Sequence, residues 1–406
     1  MKVNFFAVLV AGLCLGAMAV TVDITAVQQR YPWNGLVDVD YVVAYGDREV
    51  VLTPATGCLE MTVTDGATST KIPARSFKGE RLPLSAGRHR VTWDAAADGC
   101  TAVSSALKVS LSLVRYPEKY LVVDISNGAR STSHSVSYLD APPDGGFNTD
   151  EYKTKKIAFR LIPAGTFVMG SPITEWGRAV GAVERQHVVT ITKPFYMALF
   201  EMTRAQYTAL TGKNPGDNRG VGSTRPLSNC ALTSFRGTGS TPGTSSVLGV
   251  LSRKTGLTFE LPSEAQWEWA CRAGTDTPYN NGVPVSDSDS FEAAALATGR
   301  SSQNSASPAA HAGWHTVVGS YAPNAWGLYD MHGNVREILR DRYVDEMPST
   351  PVVDPVGGNS GTNFCWRGGS HAVTAVNCRS AARAKWGEGI GSTQGGYRVI
   401  ALVPGN

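Results

Sequence analysis

Apolar and polar residues alternate with a period of two through residues 20–115, and this rhythm fails beyond the break Ala141-Pro142-Pro143-Asp144-Gly145-Gly146. A period of two places successive side chains on opposite faces, so this stretch has to form sheet with one buried face and cannot form amphipathic helix. The clearest runs are Val37-Asp38-Val39-Asp40-Tyr41-Val42-Val43, Leu59-Glu60-Met61-Thr62-Val63, His89-Arg90-Val91-Thr92-Trp93 and Leu107-Lys108-Val109-Ser110-Leu111-Ser112-Leu113. Gly, Asp and Pro separate them, which predicts an antiparallel β-sandwich over 20–145 with Trp33 and Trp93 in its core. Tyr120 to Ile125 reads as one more strand. A chain of 406 residues exceeds one ordinary domain. A linker over 146–156 and a second, α+β domain over 157–406 are therefore expected.

That second region carries two helix signatures. One runs from Thr203 to Leu210 with Thr203 as its cap. The other runs from Ser263 to Arg272, where Ser263 and Gln266 form an S-x-x-Q capping box after Pro262. The rest reads as short strands and loops. Only 17% of the residues are charged and 43 are glycine, which excludes disordered, collagenous and coiled-coil chains and leaves a loop-rich globular protein. The formal net charge is +3, and the densest basic run, Lys153 to Lys156, is too short for a nucleic-acid surface.

The N-terminus reads as a signal peptide over residues 1–19, with Lys2, an apolar run from Phe5 to Leu15, and the cleavage site Ala17-Met18-Ala19. A secreted or periplasmic location is expected. No later segment approaches the ~20 apolar residues of a membrane span. Beyond Cys14, six cysteines remain: Cys58, Cys100, Cys230, Cys271, Cys365 and Cys378. None forms C-x-x-C. An even number in an oxidising compartment favours disulfides, and Cys58 with Cys100, the two in the first half, are expected to pair.

No H-E-x-x-H, G-x-S-x-G, G-x-G-x-x-G or Walker motif occurs. His311 and His315 are four apart but lie in a loop-like stretch, a weak zinc signal. Glu264 and Glu268 share one helix face; they could do acid–base work or bind a cation, or Glu264 could anchor the helix N-terminus. The segment Gly327 to Glu337 places acidic side chains at both ends of a Gly333-Asn334 turn. Such a layout suits a hard cation, and equally a tight structural turn.

Six segments together resemble the formylglycine-generating enzyme family, also called the sulfatase-modifying factor domain. In the family's order they are Ile162-Pro163-Ala164-Gly165-Thr166-Phe167-Val168-Met169-Gly170; Phe195-Tyr196-Met197 with Glu201-Met202-Thr203; Leu261-Pro262-Ser263-Glu264-Ala265-Gln266-Trp267-Glu268-Trp269-Ala270; Asn324 to Val335; Arg367-Gly368-Gly369-Ser370; and Gly396-Tyr397-Arg398-Val399. The resemblance spans about 157–403 and implies a C-type lectin-like fold. It also implies a copper- and O₂-dependent oxidoreductase that converts a sulfatase cysteine to formylglycine, with Ser370 and Cys378 at catalytic positions. The first copper-cysteine position is Val373, and a soft Cu(I) ion needs two thiolates. The resemblance further implies a Cys271–Cys378 disulfide, which leaves Cys230 and Cys365 to pair, and a structural Ca²⁺ held by Asp330, Gly333, Val335 and Glu337. Arg336 stands where the family has a cleft tryptophan. His371, Val373 and Trp386 fall where lectin-fold relatives display a ligand surface. The expectation is an exported, non-catalytic module that binds a protein, peptide or glycan; the alternative is an active oxidase acting on a sulfatase.

Overall fold

The computed structural model describes residues 21–403 apart from 31–33, 46–56, 66–67, 73–76, 80–83, 97–106, 116–117, 215–222, 238, 306–313, 358–360 and 388–390. The expected signal peptide, Trp33, Cys100, His311 and the side chain of Cys58 lie outside the described residues. The chain divides into two compact units between Pro117 and Glu118.

In the first unit, strands Thr21–Gln29, Leu36–Ala44, Gly87–Asp94 and Phe77–Gly79 form one antiparallel sheet, in that spatial order. Strands Thr68–Ile72, Gly57–Asp65 and Leu107–Arg115 form a second. The alternation decides which side chains turn inward: Val37, Val39, Tyr41, Val91 and Trp93 join Met61, Val63 and Leu111 in one core. On the other face, Asp38 pairs with Arg30 and Asp40 with Arg90.

The boundary between units falls earlier than the break at 141–146, because Tyr120–Asp124 and Ser135–Leu139 belong to the main sheet of the second unit. The expected linker is ordered too. Phe147 and Tyr152 are buried anchors there, and residues Asp150–Thr154 form helix α1. Lys153 lies on that helix, packed over the Phe200 ring.

The main sheet is antiparallel and six-stranded, in the order Phe259–Glu260, Ile400–Leu402, Phe195–Ala198, Lys156–Ile162, Tyr120–Asp124, Ser135–Leu139. The C-terminal strand thus enters between two earlier ones. Arg336–Arg342 and Asn363–Arg367 form the centre of a second sheet, flanked by Ala384–Gly387 and Gly395–Gly396. Helix α2 (Arg204–Thr211) starts at Thr203, which caps it as the sequence predicts, and Gln206 completes a capping box that the sequence reading did not include. Two short apolar helices follow, α3 (Leu232–Phe235) and α4 (Val247–Thr255). Helix α5 (Glu264–Arg272) also has its predicted capping box, made by Ser263 and Gln266. Helix α6 (Ser288–Thr298) is capped by Asp287.

Helix α5 is fixed to the second sheet by charge. Glu264 accepts from Arg367 Nε at 2.9 Å and from Arg383 Nε at 2.6 Å. Glu268 accepts from Arg367 Nη2 at 2.7 Å, Arg272 Nε at 2.9 Å and the Gly170 backbone N–H at 2.8 Å. The two glutamates therefore share a face and anchor structure, as against acid–base chemistry. Burial would push Glu264 up, but Arg383 and Arg367 overcome it and hold the carboxyl down at about 2. A carboxyl lowered in this way stabilises the fold fully above its ordinary value of 4.5, and that stabilisation is lost as the pH falls toward 2. Glu264→Gln leaves Arg383 buried without a carboxylate and Arg367 with Glu268 alone, and is expected to cost about 3–5 kcal/mol. Urea unfolding at neutral pH reads this as a lower midpoint at unchanged slope. A loss under about 1 kcal/mol, the size of an ordinary substitution, would contradict the network's role.

Candidate functional site

The site grows from the turn between Leu328 and Glu337. Asp330 and Asn334 adopt positive φ angles of 58° and 63°, with Gly333 at 118° between them. A Cβ on Gly333 would sit 2.0 Å from the Arg300 carbonyl oxygen, so only glycine fits. Asn334 joins the surrounding loops. Its Nδ2 donates to Glu201 Oε2 at 2.6 Å, its Oδ1 accepts from the Thr316 N–H at 2.8 Å, and its carbonyl accepts from the His371 N–H at 2.9 Å.

Three buried carboxylates surround this turn. Glu337 accepts from Trp267 Nε1 at 2.6 Å and from Arg398 Nη2 at 2.7 Å. Glu201 accepts the Val335 N–H at 3.1 Å besides the Asn334 amide. Asp330 Oδ2 accepts the Gly319 N–H at 2.6 Å, while its Oδ1 is buried with no partner. Burial pushes the Asp330 carboxyl up to about 6. Burial, with Asp330 and Glu337 nearby, raises Glu201 well above the usual range. Sequence reasoning assigned no role to Glu201, because a lone glutamate before a helix cap carries no spacing signal.

An excess of buried negative charge beside an unpartnered oxygen fits a hard cation, and Asp330 is the residue that would hold it. Glu337 would have to share its carboxylate with Arg398. Among the described residues no three His, Cys, Asp or Glu side chains converge as a metal cage, so the carbonyls of Gly333 and Val335 would have to complete the set.

The Arg367-Gly368-Gly369-Ser370 motif leads away from the buried network to Cys378. Arg367 belongs to that network. Gly369, at φ 71°, lies so close to Cys378 that an added Cβ would meet its Sγ at 2.4 Å. Ser370 is buried, and its hydroxyl donates to Gln394 Oε1 at 3.2 Å. Cys378 ends a 3-10 turn, Ala375–Cys378, and its thiol points back to the Thr374 carbonyl at 3.8 Å. It packs in an apolar cluster with Tyr279, Phe291 and Ala375, and Val373 borders the same cluster. Burial pushes the Cys378 thiol up to about 12, outweighing the nearby Arg336 charge. One protonated thiol beside a valine does not fit a Cu(I) site.

The expected Cys271–Cys378 and Cys230–Cys365 disulfides are corrected here, since all four cysteines are free thiols. The 3-10 turn folds Cys378 back on itself, so Ser380 faces helix α5 in its place, with its Oγ 3.7 Å from Cys271 Sγ. Cys365 donates to Glu264 Oε2 at 3.3 Å inside the ion-pair network. Cys230 faces its neighbour's carbonyl, Ala231, at 3.7 Å. Cys271, Cys365 and Cys378 are buried and Cys230 is half-buried.

The four residues expected to line a cleft separate into three settings. Arg336 lies over the Trp366 ring at 5.4 Å, and Trp386 stacks on the same ring at 5.7 Å. His371 is buried, its Nδ1 2.9 Å from the Asn334 carbonyl and its ring near His315. Val373 borders the Cys378 cluster. His371 and Trp386 are thus buried beneath any display surface, whereas Ala372, Thr374, Asn377 and Lys385 are exposed.

A small sheet framework wrapped in long loops, with a frame of buried Arg–Glu pairs, defines a loop-presenting domain of the sulfatase-modifying type. The sequence model of the sulfatase-modifying factor enzyme 1-like domain matches residues 147–402, and the chain belongs to that family. It is 27% identical over 152 residues to the formylglycine-generating enzyme of Bos taurus, covering 35% of this chain and 38% of that one. It is 29% identical over 154 residues to the Mycobacterium tuberculosis enzyme of the same name, covering 35% and 50%. The chain spans half or less of the length of these relatives. Among solved structures, PvdO from Pseudomonas aeruginosa aligns with a TM-score of 0.51 at 25% identity, over 61% of this chain and 94% of that one. Treponema denticola variable protein 1 aligns with a TM-score of 0.50 at 22% identity, over 61% and 96%.

With its thiols raised by burial, the native protein is expected to resist alkylation at Cys271, Cys365 and Cys378 at neutral pH, and to react at all three once unfolded. Peptide mapping after alkylation reads this directly. A Cys271–Cys378 linked peptide under non-reducing conditions would contradict it.

Proposed function

We propose that this protein is a non-catalytic binding module of the sulfatase-modifying factor family, exported by its N-terminal segment and engaging a protein, peptide or glycan. The observation that carries the reading is the setting of Cys378: a lone, protonated thiol in an apolar cluster beside Val373. Oxidation of a client cysteine through copper needs two accessible thiolates, and this setting supplies none. The first unit supports the same reading. Its two sheets share one core, as a β-sandwich does, and its described part offers a scaffold without a cluster of chemical groups.

The opposing reading is an active formylglycine-generating oxidase acting on a sulfatase, supported by the names of the curated relatives and by Ser370 and Cys378. Incubating the Cu(I)-loaded protein with O₂ and a peptide carrying the sulfatase cysteine motif, then weighing the peptide, separates the two. The binding module leaves the peptide mass unchanged. Aldehyde formation above a Cys378→Ala control would overturn it.

The turn around Asp330 is proposed to bind a structural Ca²⁺, with Asp330 and the carbonyls of Gly333 and Val335 as ligands and Glu337 shared with Arg398. A ligand that binds only the folded state raises its stability. Millimolar chelator should therefore lower the melting temperature by several degrees, at about 2–4 °C per kcal/mol lost. Asp330→Asn should abolish the response. An unchanged melting temperature would count against the ion.

A further inference from the structure

Arg336 opens the strand Arg336–Arg342 on the side of Cys378. Its guanidinium lies over the Trp366 ring, and among the described residues it meets no carboxylate. Its Nε is buried without a hydrogen-bond partner, and so is the indole Nε1 of Trp366 beneath it. Both border a small pocket shared with Gly369, Asn377 and two further arginines, Arg367 and Arg383. Those two are neutralised by Glu264 and Glu268. Among the described residues the pocket therefore keeps one guanidinium without a carboxylate and two buried donors without a partner.

We propose that Arg336 and Trp366 form a subsite for the carboxylate of a ligand. This deepens the binding-module reading and rests on it. A group that fills two empty donors has to be an acceptor, and beside an unpaired guanidinium an anion is favoured over a neutral one. A carboxylate matches the planar fork of arginine and can take two parallel N–H bonds from it, leaving an oxygen lone pair for the indole. Trp386, stacked on Trp366, holds the indole in place, and the ring in turn holds the guanidinium.

The test titrates the ¹⁵N-labelled full chain and follows the Trp366 indole N–H, assigned by its disappearance in Trp366→Phe. N-acetylglycine presents a terminal carboxylate and N-acetylaspartate diamide a side-chain one; the relative strength of the two separates these sources. N-acetylglycinamide is the neutral control, and inorganic phosphate the rival anion. The carboxylates should shift the indole signal saturably in the millimolar range, which is the ordinary strength of so small a ligand. Arg336→Gln should weaken them at least about tenfold, and Arg336→Lys by less, since the charge survives and the fork does not. Equal shifts from the neutral amide, tighter binding of phosphate, or unchanged affinity in a folded Arg336→Gln variant would each overturn the subsite. Should Arg336→Gln fail to fold, Trp366→Phe keeps the ring and loses the donor. Binding followed by the Gly369 amide should then weaken, and unchanged affinity would overturn the proposal. These shifts are independent of the peptide oxidation assay, so the subsite can fail while the binding module stands, and oxidase activity can appear while the subsite stands.

Discussion

The contact of Arg367 with Glu264 and Glu268 decides how the second unit is arranged. A guanidinium 1% exposed bridges two carboxylates one turn apart on helix α5. It is the first residue of the Arg-Gly-Gly-Ser segment, so helix and segment cannot move independently. Arg383 adds a second clasp on Glu264 and reaches the carbonyls of Val183 and Val344. In a chain with so much irregular backbone, apolar packing sets few orientations, and directional charged hydrogen bonds supply the rest. Desolvation makes such pairs poor sources of net stability, but a broken one is strongly destabilising. The arrangement is therefore rigid in register.

The functional positions hang from this frame. Gly369 carries the chain past Cys378 at a distance that excludes a side chain, and Gly368, at φ 86°, passes close to Trp267. Asn334 then joins the carboxylate turn to His371 and Glu201. The same frame can support different chemistry, because the residues at its mouth are not those that hold it together. Val373 and Arg336 take no part in the ion pairs of Arg367, Glu268 and Arg398.

Much of the frame was legible in the sequence. Period-two alternation located the first-unit strands, and the cap at Thr203 and the capping box at Ser263 located two helices, since both signals are local. The unit boundary was misplaced because Pro142 and Gly145 mark a loop within the second unit, and a loop has the composition of a linker. Helices α4 and α6 were missed, although Ser246 and Asp287 cap them. Both are flanked by glycine- or serine-rich chain, so their apolar faces declare themselves only against the core. The disulfide expectation failed for a geometric reason: sequence spacing cannot show that a 3-10 turn rotates Cys378 away and presents Ser380 to Cys271. Glu201 and Trp366 became visible only through their burial and their neighbours.

The central claim is that this frame survives without a copper thiolate pair, and Cu(I) binding tests it without reference to any client. The fully reduced protein would be titrated with Cu(I) against a chromophoric chelator of known affinity, alongside Cys378→Ala. The account predicts that the two proteins compete equally weakly, because the Cys378 thiol is protonated, buried and paired with no second sulfur. Stoichiometric, tight Cu(I) binding that vanishes in Cys378→Ala would contradict it.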